Sequence, residues 1–303
     1  MKKIVTIIAT AFMMAVQPVE AQDNLWATGS AVPGGKQQLV KRPDGQFRFA
    51  GPLNAGEVKI MTTEDYVKGT TRYLMPQLTD SYLINFGLRY TQTTDSTKAG
   101  WQVLFQEDTY RFLVDTGSQT VIGELMLPWN EVLIAGSAFP GGSDNIEWKR
   151  DNMLPFVRDH ENPYVFTWTG ELGIYENVIE PGRFKLEGQM TWGPRELHPY
   201  TDDEDLLTTT QVCTGGWDRK WKVTTPGVYR ITVDLFNETF HADLLSTANG
   251  GNATAVGSVK NAEVVRTAVI YDLQGRSQQR LQRGLNIVRG TDGTVRKRII
   301  TAK

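Results

Sequence analysis

The chain repeats itself, and that fact constrains its fold more than any other. Gly29-Ser30-Ala31-Val32-Pro33-Gly34-Gly35 returns as Gly136-Ser137-Ala138-Phe139-Pro140-Gly141-Gly142. Tyr110-Arg111-Phe112-Leu113-Val114-Asp115 returns as Tyr229-Arg230-Ile231-Thr232-Val233-Asp234. The offset grows from 107 residues at the first pair to 119 at the second, so the second copy carries insertions, expected near Asp151–Pro163 and Ile174–Glu180. Insertions of that kind go into surface loops. A duplicated unit without a catalytic signature points to a binding protein with two similar sites.

Between turn residues the chain runs in short apolar or alternating segments, the pattern of antiparallel β-structure. Gln46 to Gly51 and Tyr164 to Gly170 read as matching strands, as do Gly56 to Ile60 and Gly182 to Leu186. Tyr82 to Phe86, Val103 to Phe105, Tyr110 to Val114 and Val121 to Leu127 complete the first copy. The second opens at Val132 to Gly136 and closes at Thr239 to Leu245. The reading is all-β: two tandem immunoglobulin-like sandwiches, residues 22–128 and 129–245, a Gly/Asn/Ser/Thr linker at 246–262, and a small β tail at 263–303. The tail is rich in arginine and takes its strands at Ala268–Tyr271, Leu285–Val288 and Lys297–Ile300.

Residues 1–21 read as a secretory signal: Lys2 and Lys3, an apolar run from Ile4 to Val16, then Val19-Glu20-Ala21 as a cleavage site. The run is too short for a good membrane anchor. No cysteine follows it, which removes lipid attachment there, and the expectation is an exported protein with no transmembrane helix.

The formal charge of −2 gives no reason to expect a nucleic-acid partner. Cys213 is the one cysteine, so no intramolecular disulfide forms, and His160, His198 and His241 lack zinc spacing. No metal or other cofactor is expected. Trp129-Asn130-Glu131 imitates a glycosidase acid/base pair, but that role needs a second carboxylate about 5 Å away on a barrel scaffold. Asp202 to Asp205 lacks the glycine and spacing of a calcium loop. The Pro-Gly-Gly turns read as structural, because no helix or Lys-Ser pair follows.

Eight tryptophans are many to bury in small domains, so some are expected to face solvent. Lys59 stands seven residues before Tyr66, and Lys185 seven before Trp192. A sugar offers an apolar C–H face and a polar rim, which a flat ring beside fixed donors recognises. Trp101 and Trp217, or Trp221, are further platform candidates, since each follows a glycine region and precedes a strand. The alternatives are a core role for each ring and a solvated strand charge for each lysine.

The fixed order of these motifs resembles the SusE/SusF family of outer-membrane starch-binding proteins across residues 24–245. That resemblance implies sandwich domains that hold glycan at the cell surface and do no chemistry. It implies an oligosaccharide or polysaccharide partner, favouring a starch-like α-glucan, and a place beside other outer-membrane glycan-uptake proteins. It puts carbohydrate contacts at Lys59, Tyr66, Lys185 and Trp192, and less directly at Trp101 and Trp217. The family's lipidated cysteine is missing. The tail, from Val269-Ile270-Tyr271-Asp272 to the basic last strand, resembles a type IX secretion sorting domain. The other readings of the sequence are a structural or adhesive protein that binds another protein, and a glycoside hydrolase with a dispersed carboxylate pair.

Overall fold

The computed structural model describes residues 22–214 and 217–248, and four later strands. Contacts divide the chain into two units, Met1–Gly251 and Asn252–Lys303, and both repeats lie in the first. The signal sequence and most of the linker lie outside the described residues.

The first module has ten strands: β1 (Trp26–Thr28), β2 (Lys36–Gln38), β3 (Val40–Lys41), β4 (Phe47–Leu53), β5 (Gly56–Met61), β6 (Tyr73–Pro76), β7 (Asn85–Thr93), β8 (Trp101–Val103), β9 (Glu107–Asp115) and β10 (Thr120–Leu125). They hydrogen-bond in the order β2-β1-β5-β6-β7-β10-β9-β4-β3, with β8 on β5. Strand β7 joins the two layers: its start pairs with β10 and its end with β6. The sequence reading placed a strand at Tyr82 to Phe86. Tyr82 instead makes an isolated bridge to Gln102, and the strand begins at Asn85.

The second module has β11 (Leu133–Gly136), β12 (Leu154–Pro155), β13 (Val157–Arg158), β14 (Val165–Leu172), β15 (Arg183–Glu187), β16 (Glu196–His198), β17 (Glu204–Asp205), β18 (Cys213–Thr214), β19 (Trp221–Lys222), β20 (Gly227–Asp234) and β21 (Thr239–Thr247). One layer runs β12-β11-β15-β16-β18, with β19 on β15 and β17 on β19; the other runs β13-β14-β20-β21. Strand β21 extends to Thr247, two residues into the segment read as linker. The second unit has β22 (Val269–Tyr271), β23 (Ser277–Gln278), β24 (Gly284–Arg289) and β25 (Val295–Ile300), an antiparallel sheet in the order β23-β22-β24-β25.

Period-two patterning explains the layers. Along β20, Tyr229, Ile231 and Val233 are buried, and the residues between them are less so. Each module closes around its own apolar core.

The repeated motifs do the same physical work in both copies. Gly29 and Gly136 have φ of +111° and +147°, and a Cβ at either would lie 2.3 Å from a carbonyl oxygen, that of Glu57 or of Arg183. Only glycine allows that backbone approach. The next residue locks it: Ser30 Oγ accepts from the Glu57 amide at 3.0 Å, and Ser137 Oγ from the Arg183 amide at 3.2 Å. The repeated tyrosines are buried and donate to backbone carbonyls, Tyr110 to Phe105 and Tyr229 to Thr225, as in a tyrosine corner. Asp115 and Asp234 each accept two amides of the hairpin turn that follows.

The modules meet at a buried charge cluster. Glu238, which is 2 % exposed, lies between Arg42, Arg48 and Arg111 of the first module at 3.5, 3.7 and 3.1 Å. Arg48 also donates to the Phe236 carbonyl at 3.0 Å and Arg42 to the Tyr200 hydroxyl at 2.7 Å.

Candidate functional site

Lys59 on β5 and Lys185 on β15 occupy the same position in their modules, opposite Thr28 of β1 and Ala135 of β11. Each lies in a surface depression with its partner ring.

The second-module site is the more developed. A hollow of about 600 Å³ is lined by Trp148, Ile179, Lys185, Trp192, Asp218 and Lys220, among others. A neighbouring hollow of about 470 Å³ shares Trp148 and Trp192 and is completed by residues 147 and 149–152. The two rings therefore form a ledge between the hollows, with centroids 6.4 Å apart and planes at 54°. Trp192 is 44 % exposed. Lys185 Nζ lies 5.3 Å from the centre of the Trp192 ring and Lys220 Nζ 5.6 Å from that of Trp148.

Lys185 is not a free donor. Its ammonium contacts Glu196 at 2.9 Å, Glu187 at 3.1 Å and Asp218 at 3.1 Å. Three donors meet three carboxylates, so the polar rim available to a ligand consists of carboxylate oxygens. Burial opposes the charge on Lys185, but the carboxylates outweigh it and hold the pKa above the ordinary lysine value. Burial also disfavours ionised Glu196 and Asp218, yet hydrogen bonds from Lys185 keep both below the usual carboxylate range. Glu187 is wholly buried, and burial pushes it up to about 7 against the pull of Lys185.

Trp148 is placed by its loop. Asp144 accepts from the amides of Ile146 and Glu147 and pairs with Lys149 at 2.6 Å. The Lys149 bond and those amides bring the Asp144 pKa down to about 2.

In the first module Lys59 and Tyr66 line one depression of about 430 Å³, with Lys36, Glu57, Asp65 and Tyr73 also on its wall. Tyr66 is 57 % exposed. Lys59 donates to the Ser96 carbonyl at 2.8 Å and pairs with Glu57 at 3.3 Å, so it too is held by the protein.

The structure separates the remaining candidates. Trp101 is not a platform. It is fully buried, paired with Val58 on β5 and part of the first core. Trp221 holds the same register against Phe184, is equally buried, and stacks between Phe184 and Phe240. The glycine before Trp101 marks a close approach to β5, since a Cβ on Gly100 would lie 2.3 Å from the Val58 carbonyl oxygen. Trp217 is 79 % exposed but does not line either hollow; its neighbour Asp218 does.

Sequence reasoning missed Trp148, Glu196, Asp218 and Lys220. The strand pairing puts the second-copy insertion between Gly142 and β12, earlier than the expected Asp151–Pro163, so Trp148 lies inside it, and an aromatic in a loop that the first copy lacks was the available signal. The acidic run stays structural: Arg183 binds Asp203 at 2.6 Å, and Asp202 accepts the Lys220 amide. Among the described residues no group of three or more His, Cys, Asp or Glu side chains is arranged to hold a metal. Nor is any described helix long and apolar enough to cross a membrane.

No family model matches the chain, and no curated protein matches it. Among solved structures, SusF from Bacteroides thetaiotaomicron is similar at 11 % identity and a TM-score of 0.34, over 93 % of this chain and 73 % of that one. A likeness of that strength decides neither fold nor function.

Proposed function

We propose that the protein binds polysaccharide without cleaving it, chiefly on the Trp148–Trp192 ledge of the second module. The observation that carries this reading is an exposed indole ring, Trp192, inclined against the half-buried ring of Trp148 and bordered by fixed charged groups. Flat rings cover the apolar faces of successive sugars, and the carboxylates of Glu196 and Asp218 accept from hydroxyls. Lys59 and Tyr66 make a smaller counterpart on the first module. Each site is expected to bind in the micromolar to millimolar range, about −4 to −8 kcal/mol, and engagement of both modules would add roughly 10²–10⁴ in avidity. A starch-like α-glucan is the ligand that the resemblance of the repeated motifs to the SusE/SusF family favours. Export to the outer surface, alongside other glycan-uptake proteins, belongs to the same reading.

The electrostatics speak against hydrolysis. A glycosidase needs one protonated and one ionised carboxyl at the scissile bond. Glu180, Glu196 and Asp218 border the hollow and each is tied to an arginine or lysine of the protein, while Glu187 is buried away from any ligand. One observation favours docking of a protein instead: Phe86 and Ile122 pair across β7 and β10 with their side chains in solvent.

Affinity electrophoresis in gels containing amylopectin tests the reading. Trp192→Ala should lose retardation at least tenfold, the scale of one stacked ring, with an unchanged unfolding midpoint; Trp148→Ala should do likewise but with a lowered midpoint, because that ring also packs on Leu133, Ala135 and Met153. Unaltered retardation of Trp192→Ala, or no retardation of the parent by any glycan in a panel, would exclude the ledge as a carbohydrate site.

A further inference from the structure

The ring that does most in this reading stands on a loop, and the loop is tied to a single buried carboxylate. Residues 188–195 connect β15 to β16 and carry Trp192. Glu187, the last residue of β15, reaches back into that loop. Its Oε2 accepts from the Gly193 amide at 3.3 Å and from the Gln189 side-chain amide at 3.1 Å. Gln189 passes the restraint on, donating to the carbonyls of Thr191 and Arg195 at 3.1 and 3.2 Å and accepting from the Arg195 amide at 3.3 Å. Glu187 Oε1 meets Lys185, the same ammonium that lies over the Trp192 ring. The residues on both sides of Trp192 in sequence, and the cation over its face, therefore share one anchor. Glu187 has no exposure to solvent, so it cannot touch a ligand itself.

We propose that Glu187 is a positioning residue for the ledge: its buried carboxylate fixes the 188–195 loop and the Trp192 ring, and proton uptake by that carboxylate loosens them. The proposal rests on the glycan-binding reading for its functional consequence, while the anchoring itself does not need a ligand.

The surroundings make proton uptake accessible. Glu187 sits directly across β16 from Glu196, a like charge in a cross-strand pair. Lys185 on its own strand compensates both, Asp218 draws on the same ammonium, and His198 stands behind Glu196 at 3.2 Å. Arg195 is the remaining charged residue, within the loop. Burial and Glu196 raise the proton affinity of Glu187 and Lys185 lowers it, with a midpoint of about 7. Below that pH the side chain is neutral. It then gives up one acceptor position and the charge that strengthens its bonds to Gly193 and Gln189.

The experiment pairs Glu187→Gln with the parent protein at pH 5.5 and pH 8. Glutamine keeps the shape and one acceptor oxygen but cannot ionise. The first readout is hydrogen exchange of the 188–195 amides, corrected for intrinsic pH dependence. The second is the dissociation constant for maltoheptaose by calorimetry. The parent should lose loop protection and bind about tenfold more weakly at pH 5.5, the scale of one charge-assisted hydrogen bond. Glu187→Gln should behave at both pH values like the acidic parent. Equal loop protection in the parent at the two pH values, or a pH response retained in Glu187→Gln, overturns the proposal. Loop protection that responds as expected, with no maltoheptaose bound at either pH, upholds the anchor and discards the starch-like assignment.

Discussion

Replacing Glu238 by glutamine tests how the two modules are joined. Glu238 sits in the β20–β21 turn with φ of +52° and a side chain 3 % exposed. Three guanidinium groups converge on it. Two have a second carboxylate, Asp44 at 3.4 Å for Arg42 and Glu124 at 2.6 Å for Arg111. Arg48 forms no second ion pair among the described residues, and burial already pushes its pKa down while Glu238 pulls it up. Glutamine keeps the size, the backbone geometry and an acceptor for Arg111 and Thr214, so the substitution removes charge and little else. Stranding a buried charge in this way costs about 3–5 kcal/mol. Urea unfolding followed by tryptophan fluorescence measures it. The signal sums all eight tryptophans, Trp26 and Trp101 in the first module and the other six in the second. Arg48→Met added to Glu238→Gln should recover a large part of the loss, because the stranded guanidinium is then gone. A loss below about 1 kcal/mol for Glu238→Gln, the scale of an exposed pair, would refute the reasoning. So would a double variant that falls by the sum of the two single losses.

Two further outcomes follow from the cores. Gly29→Ala and Gly136→Ala should each destabilise by at least about 1–3 kcal/mol from the left-handed backbone alone, with the Glu57 or Arg183 carbonyl clash in addition; a thermal midpoint within a degree of the parent would contradict this. Trp101→Ala should cost about 3–5 kcal/mol in stability, measured by urea unfolding, whereas a small loss would mean that this ring is not packed as described.

What could be read from the sequence was mainly what local chemistry dictates. Period-two burial, turn glycines and the repeat itself indicated an all-β chain, because these features depend on few neighbours. Tyr73–Pro76 and the latter half of β7 escaped notice. In β7 the residues facing solvent include Phe86 and Leu88, so the alternation of polar and apolar residues is lost. For the site, spacing brought Lys59 to Tyr66 and Lys185 to Trp192, since seven residues span one strand end and one turn. It misassigned Trp101, because a tryptophan after a glycine looks the same whether the glycine exposes the ring or lets it pack. It could not find Asp218 or Glu196, which reach Lys185 from a loop and from a neighbouring strand.

The repeat also explains why the two sites are unequal. Most of what the two copies share, the Gly-Ser pair, the buried tyrosine, the turn aspartate and the buried Trp101/Trp221, ends in scaffold. The shared lysine faces a depression in both copies, and in both the protein's own acceptors already hold it. What enlarges the second site is the Asp144–Lys149 loop with Trp148, which the first copy lacks, and the Asp218 carboxylate, where the matching first-copy loop offers the Ser96 carbonyl to its lysine. Duplication thus supplied a position on a strand, and the loops supplied the ring surface proposed to bind glycan. On the proposed reading, the second module alone should hold most of the affinity for glycan in affinity electrophoresis, and equal retardation of the two isolated modules would refute this. The first, with a single exposed ring beside Lys59, contributes through linkage more than through its own binding strength.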